Sequence, residues 1–267
     1  MHPIERLRHL ARSSGGDPRV IVSETASALR GLGVDPAGLV VACRRIVERH
    51  PTAGPLWWLC AHMLTSPDPF ATGRRLAEEI DADLTPEGLI AALPGDSTVC
   101  VVGWPDLAGE AVLRRGDIRV LAIDADDQGS SFVRRLDRAE VDAEVVAPGG
   151  IAAAVLAADI VLIEALAASP GEVLAARGSR AAASVAYCSE VPVWAVVGVG
   201  RCLPEAGFVS LVERVADVRV PWEADADVVP LALCSHVATK EGVAVIDEVA
   251  LTPECPLAHE LLRPTLG

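Results

Sequence analysis

The sequence predicts an α/β protein: a mostly parallel sheet with helices on both faces, preceded by an all-helical N-terminal domain. Two observations predict it. From residue 97 onward, short Val/Ile/Leu-rich runs take turns with helical segments, and those runs do not alternate polar with apolar residues. Strands of that kind are buried on both sides, as in a parallel sheet sandwiched between helix layers. Before residue 93 the apolar residues instead recur at helical spacing. The expected division is residues 1–93, helical, and residues 94–267, α/β.

In the helical part, Ile4, Leu7, Leu10 and Ala11 form a first amphipathic run, and Ser23 to Leu32 a second. Asp35-Pro36 is a cap and first-turn pair ahead of Leu39, Val40, Cys43 and Ile46 on one face. Pro51 ends that helix, and Pro55 opens another through Trp57, Trp58, Cys60 and Met63. Adjacent tryptophans there form either a ligand shelf or core packing between helices, and packing is the commoner arrangement. Ser66-Pro67-Asp68-Pro69 is a turn before a helix over Ala71 to Ile80.

The α/β part opens with a strand over Val99 to Val102 and a helix over Leu107 to Arg114. A strand over Ile118 to Ile123 ends on the acidic loop Asp124-Ala125-Asp126-Asp127, followed by a helix through Phe132 and Leu136. Next come a strand over Ala143 to Ala147, the turn Pro148-Gly149-Gly150, a helix over Ile151 to Leu156 and a strand over Asp159 to Ile163. A helix over Ser179 to Ser189 and a strand over Pro192 to Val197 continue the alternation. In such sheets ligands sit beyond the carboxyl ends of the strands. Those ends are Gly103-Trp104-Pro105, the Asp124 to Gly129 loop, Pro148-Gly149-Gly150, Glu164, and Gly198 to Arg201.

Composition narrows the function classes. Of 267 residues 51% are hydrophobic but only 3% aromatic, so the core is built mainly from Ala, Val and Leu. No apolar run reaches the roughly 18 residues that span a bilayer, and the charged start Met1 to Arg6 lacks a signal-peptide core. These features predict a cytoplasmic chain with no membrane partner. Seven scattered cysteines without a C-x-x-C pair read as buried free thiols, and six histidines show no ligand spacing, so no metal and no cofactor is expected. The net charge is −14, and residues 94–267 hold thirteen Arg/Lys against twenty-six Asp/Glu. That field repels a phosphodiester backbone and argues against nucleic acid. There is no G-x-x-x-x-G-K-[ST] loop, no G-x-S-x-G elbow and no G-x-G-x-x-G after the first strand.

One stretch carries a resemblance. Asp159 to Gly198 reads DIVLIEALAASPGEVLAARGSRAAASVAYCSEVPVWAVVG. It resembles the signature region of the family that contains the alpha, beta and delta subunits of initiation factor 2B, methylthioribose-1-phosphate isomerase and ribose-1,5-bisphosphate isomerase. In that family a D-x-V-I-V-G-A-D strand runs into an N-G-x-V-x-N-K-x-G-T loop, and a helix then leads to V-P-F-Y-V. Here Asp159 opens the strand, Gly171 and Val173 lie in the loop, Gly178-Ser179 stands for Gly-Thr, and Val191 to Trp194 stands for V-P-F-Y. Asp227 to Pro230 and Ala238 to Gly242 resemble a late family segment, so the likeness covers about residues 97–250.

The resemblance implies a Rossmann-like sheet, a homodimer formed through the α/β domains, and a phosphorylated small molecule at the strand ends. The isomerases' cysteine falls at Gly103 or its neighbours, their aspartate at Leu166, and their Asn-Lys pair at Ala175-Ala176. A sugar isomerase needs a positioned acid and base, which alanine and leucine cannot supply. A divergent, non-catalytic protein is therefore expected, one that binds a sugar phosphate or nucleotide or acts as an interaction subunit. The alternative is an aldose–ketose isomerase for a ribose 1-phosphate-type substrate, with Glu164 as base and Cys100 or Cys202 as acid. A carboxylate buried at the end of that strand would have a raised pKa. The helix start at Gly178-Ser179-Arg180 offers amides to an anion, with Arg177 and Arg180 as cations, or else is a plain cap flanked by solvated arginines. Gly103, Asp124, Gly149 and Gly150 complete the expected ligand-binding set, and Asp126 and Asp127 are either hydroxyl or Mg²⁺ ligands or a solvated turn.

Overall fold

The computed structural model describes residues 17–33, 35–215 and 220–262. The run Ile4, Leu7, Leu10 and Ala11 lies outside them. Five helices come first: α1 (Pro18–Leu32), α2 (Pro36–Arg49), α3 (Gly54–Thr65), α4 (Pro69–Asp81) and α5 (Thr85–Ala92). Four of the five starts have an Asp or Leu followed by an early proline, and at α1, α2 and α4 the Asp carboxylate accepts a first-turn N–H. Proline at this position loses no hydrogen bond, because the first helical N–H groups have no partner within the helix. Helix α1 therefore begins at Asp17-Pro18, five residues before the Ser23 start expected from apolar spacing alone.

The sheet follows: β1 (Thr98–Val102), α6 (Leu107–Arg115), β2 (Arg119–Ile123), α7 (Gln128–Asp137), β3 (Ala143–Val146), α8 (Ile151–Ala157) and β4 (Ile160–Ala168). Then come β5 (Glu172–Ala176), α9 (Ser179–Cys188), β6 (Val193–Val196), α10 (Glu205–Val215), β7 (Ala226–Pro230), β8 (His236–Thr239), β9 (Gly242–Val245) and a last turn of helix, α11 (His259–Leu262). The strand order is β3-β2-β1-β4-β6-β8-β9, parallel except for the β8–β9 hairpin at one edge. The predicted mostly parallel sheet with helices on both faces, preceded by helices, is the fold observed.

Strand β4 runs further than the expected stop at Ile163. Ile160 to Glu164 lie in the parallel sheet, and the rest overruns its carboxyl edge. From Ala165 it pairs antiparallel with β5, which pairs in turn with β7. Ser169 closes the turn, its buried hydroxyl accepting the N–H groups of Gly171 and Glu172. The loop expected around Gly171 and Val173 is thus a hairpin. The resemblance implies a loop here, whereas Val173, Leu174 and Ala175 pair as strand and only the Ser169 to Gly171 turn is irregular.

This extension joins the two parts of the chain. Ala167, Leu174 and Ala226 from the hairpin sheet, with Val199, Leu203 and Phe208, pack into the same core as Trp57, Trp58, Leu59 and Met63 of α3. Both tryptophans are buried, so they are core packing and not a ligand shelf. The two faces of the parallel sheet have separate cores. Cys100, Val161 and Ile163 face α8 and α9, whereas Val99, Val101 and Leu162 face α5, α6 and α7.

Gly200 follows β6 with φ +74°, and a Cβ there would lie 2.9 Å from the indole of Trp58. Gly200→Ala combines a left-handed backbone penalty with overpacking and is expected to cost about 3 kcal/mol. Urea denaturation followed by circular dichroism measures it. A loss below about 1 kcal/mol would mean that Trp58 shifts freely and that this contact does not set the seating of α3.

Candidate functional site

Strand order reverses between β1 and β4, because the chain travels outward to β2 and β3 from one and to β6 and β8 from the other. The crevice beyond the carboxyl ends of those two strands is where an open α/β sheet binds ligands. Here the N-terminus of α6 points into it, and a helix start of this kind attracts anions. The anion present is Glu164, the last β4 residue in the parallel sheet.

One carboxylate oxygen of Glu164 accepts the Asp106 N–H at 3.0 Å, and the other accepts those of Leu107 and Ala108 at 2.9 and 3.0 Å. Arg201 Nη1 donates to the first oxygen at 2.9 Å and also to the Ala165 carbonyl. The two side chains are 8% and 5% exposed. Three amides and a guanidinium thus satisfy a buried carboxylate, the condition under which such a charge is tolerated.

Around this pair lie further charges. Asp83 accepts from Thr85 N and Oγ1 at 2.9 and 2.6 Å, and from Val199 N at 3.0 Å, tying the end of the helical part to the loop after β6. A Cβ on Gly198 would strike Leu107 at 2.3 Å and Asp83 at 2.5 Å, so the loop passes here only as glycine. Arg19 of α1 pairs with Glu110 of α6. Burial, and secondarily the charge of Glu164, pushes the Asp106 carboxyl up to about 7. A cavity of about 10 Å³ remains between Asp83, Asp106, Arg19 and Arg201, room for one water at most.

The other expected residues gather on the opposite side, at the start of α9. The Gly178 and Arg180 N–H groups both donate to one oxygen of Asp227, at 2.9 and 3.1 Å. Arg177 donates to the Ala224 carbonyl at 2.6 Å, to the Glu223 carbonyl at 3.0 Å and to the Asp225 carboxylate at 2.9 Å, with Asp126 at 3.4 Å. Arg180 reaches the Val228 carbonyl at 3.2 Å, while Ser179 is buried. Gly103 borders Ala176, and Ile151, which follows Gly150, borders Gly178; Gly149 is exposed. Asp124 accepts from Ser130 Oγ at 2.6 Å and Ser130 N at 3.2 Å, and the Ser130 hydroxyl holds its carboxyl below the usual range. It anchors the first turn of α7.

The expected site residues therefore divide between two places. Glu164 stands on the α6 side of the sheet. Arg177, Gly178, Ser179, Arg180, Asp124, Gly103 and the Gly149-Gly150 turn lie around α9 and the neighbouring loops. Cys100 faces the α9 core, is fully buried, and has its thiol pushed up to about 12 by burial. Cys202 is buried too, with its thiol likewise pushed up to about 12. Strand alternation puts Cys100 and Glu164 on opposite faces, so they do not form an acid–base pair across one substrate. Sequence reasoning placed Gly198 to Arg201 among the strand ends without singling out the Arg201 charge, and it missed Asp106 and Asp83 as parts of the crevice. The available signal was a lone arginine in the apolar run Val193 to Pro204, which stands there only if paired.

No protein-family model matches the sequence, and no curated protein matches it. Solved structures do. The chain is similar to translation initiation factor eIF-2B of Pyrococcus horikoshii OT3, at 14% identity and a TM-score of 0.76, over 91% of this chain and 96% of that one. It is similar to a chain of the tetrameric eIF2B-beta2-delta2 complex from C. thermophilum, at 17% identity and a TM-score of 0.68, over 92% and 91%. The delta subunit of translation initiation factor eIF-2B from A. fulgidus matches at 15% identity and a TM-score of 0.62, over 91% and 88%. The chain has the fold of the initiation factor 2B subunits.

Glu164→Ala leaves Arg201 buried without a counter-charge and is expected to cost about 3–5 kcal/mol in urea denaturation; a loss under about 1 kcal/mol would remove the pair from its central place. Asp106→Asn is expected to raise stability at pH 8 and to change it little below pH 4. Between those limits the unfolded chain has released the Asp106 proton while the folded chain keeps it up to about pH 7. Stability contributed by that proton is thus complete in acid and lost as pH rises through 7. Equal wild-type and Asp106→Asn stabilities across that range would show that the carboxyl is not shifted.

Proposed function

We propose that the chain is a divergent, non-catalytic, initiation factor 2B-like protein that works by associating with protein chains and does not turn over a sugar phosphate. One observation carries the reading: the carboxylate of Glu164 sits on the α6 amides at the switch point of the sheet, where a ligand anion would bind. The α9 amides are occupied in the same way by Asp227. At both helix starts the negative charge comes from the chain itself. An entering phosphate would have to expel a buried carboxylate from three amides and an arginine, then tolerate that carboxylate nearby.

Association is the reading that this leaves for the fold. The similar C. thermophilum chain is part of a tetrameric complex of beta and delta subunits, and a homodimer is the simplest counterpart for a single chain. The isomerase reading is not favoured, since Glu164 is committed to helix and arginine while Cys100 and Cys202 are sealed in the core.

Thermal melts with ribose 1-phosphate, ribose 1,5-bisphosphate, methylthioribose 1-phosphate and AMP test the proposal. The expected outcome is an unchanged Tm at millimolar ligand and no ketose product. A ligand-dependent rise in Tm, with turnover that Glu164→Gln abolishes, would overturn it in favour of the isomerase.

A further inference from the structure

Beyond β9 the chain passes the β4–β5 hairpin without joining either sheet. A single 3₁₀ turn, Ile246–Glu248, ends the strand, and Val249 then takes extended backbone at φ −131° and ψ 119°. Leu251 sinks into the core that also holds Leu231, while Val249 and Ala250 stay exposed. Facing this segment is Pro170, exposed on the hairpin turn, with Leu231 fixed behind it by an N–H bond to the Gly171 carbonyl at 2.9 Å. Between the two lies a cleft of about 400 Å³, a size typical of ligand clefts.

Its walls say what kind of ligand. The first feature is backbone. Among the described residues the N–H groups of Ala250, Leu251 and Thr252 and the carbonyls of Val249 and Leu251 have no protein hydrogen-bond partner. On an extended run such groups form a row that an incoming strand can pair with. Proteins ordinarily blunt such an edge with lysine or proline. Here the first proline is Pro253, past the free N–H groups.

The second feature is charge. Asp247 and Glu248 are exposed on the rim, and among the described residues neither forms an ion pair. No Arg, Lys or His lines the cleft. Two uncompensated carboxylates repel a phosphate and attract a cation. A second copy of this chain, at net charge −14 and with the same two carboxylates, is a poor occupant. The floor of Leu231, Ile246 and Leu251 is apolar. An extended peptide turns successive side chains to opposite faces, so it can set apolar residues on that floor and basic ones at the rim.

We propose that this cleft takes an extended, lysine- or arginine-bearing segment of a partner protein, added as a strand along Val249–Leu251 with a basic side chain at Asp247 and Glu248. The inference rests on the reading that the chain works by association, and it names the surface and the partner's chemistry.

Fluorescence anisotropy of a dye-labelled hexapeptide that alternates lysine with valine, titrated with the full chain, tests it. Saturable binding is expected, and the double substitution Asp247→Asn, Glu248→Gln is expected to weaken it by about tenfold or more. The same hexapeptide N-methylated at alternate backbone nitrogens keeps its charge but loses donors, and it is expected to bind about tenfold or more weakly. Ala250→Pro removes one free N–H without breaking a hydrogen bond of the folded chain and is expected to act likewise, with circular dichroism checking the fold. No saturable binding at millimolar concentration, equal affinity for the N-methylated peptide, or indifference to the loss of both carboxylates would each overturn the proposal. So would a dimer in sedimentation that a folded Ala250→Pro variant no longer forms, because a second copy would then fill the cleft. The sugar-phosphate melts keep the two ideas apart. An unchanged Tm with no peptide binding removes this cleft and leaves the self-filled crevice standing. Peptide binding beside a ligand-raised Tm and turnover keeps the cleft and removes the non-catalytic reading.

Discussion

The placing of one carboxylate organises the carboxyl edge of the sheet. Glu164 joins three segments distant in sequence: strand β4, the start of helix α6, and the loop after β6 through Arg201. Burying two charges confers little net stability over a well-packed apolar pair. It does fix geometry, because a carboxylate that has lost its water accepts few positions for its partners. Moving α6 along its axis would strand Glu164 without its amides, and shifting the loop would remove the guanidinium. The switch-point crevice is therefore closed by a requirement for charge satisfaction, with apolar packing on either side of it.

A second consequence follows from where β4 stops. By continuing past the parallel sheet into a hairpin, it carries Ala167 and Leu174 into the core of the helical part. The two parts of the chain meet through that shared apolar layer and through Asp83 and Arg19, which bridge them by hydrogen bond and ion pair. The crevice is thus walled by both parts. The helical region forms its roof as well as being a separate bundle in sequence.

The parallel strands β1, β2, β3, β4 and β6, with helices α6 to α9, were legible because non-alternating Val/Ile/Leu runs have few other uses; the parallel strand β8 and helix α10 were not read. Of the three helix starts at Asp-Pro, the sequence reading finds Asp35-Pro36, sets α1 late at Ser23, and takes Asp68-Pro69 as a turn before a start at Ala71. The antiparallel strands β5, β7 and β9 were not legible. Each is only four or five residues long and stands beside Pro or Gly, and a strand that short is defined by its partner and not by its own pattern. The site was legible in part. Glu164 stood out as a carboxylate at a strand end, and Gly178-Ser179 as a helix start. The α9 start is occupied by Asp227, 49 residues from Gly178, and Glu164 is held on the α6 start by Arg201, 37 residues away. No local spacing shows which distant side chain satisfies an amide.

A protein whose anion is supplied by a metabolite gains stability in proportion to the logarithm of that metabolite's concentration. With Glu164 covalently part of the chain, the α6 start is saturated whatever the composition of the surrounding solution. On the proposed reading, a metabolite then finds no free amide at the α6 start to bind.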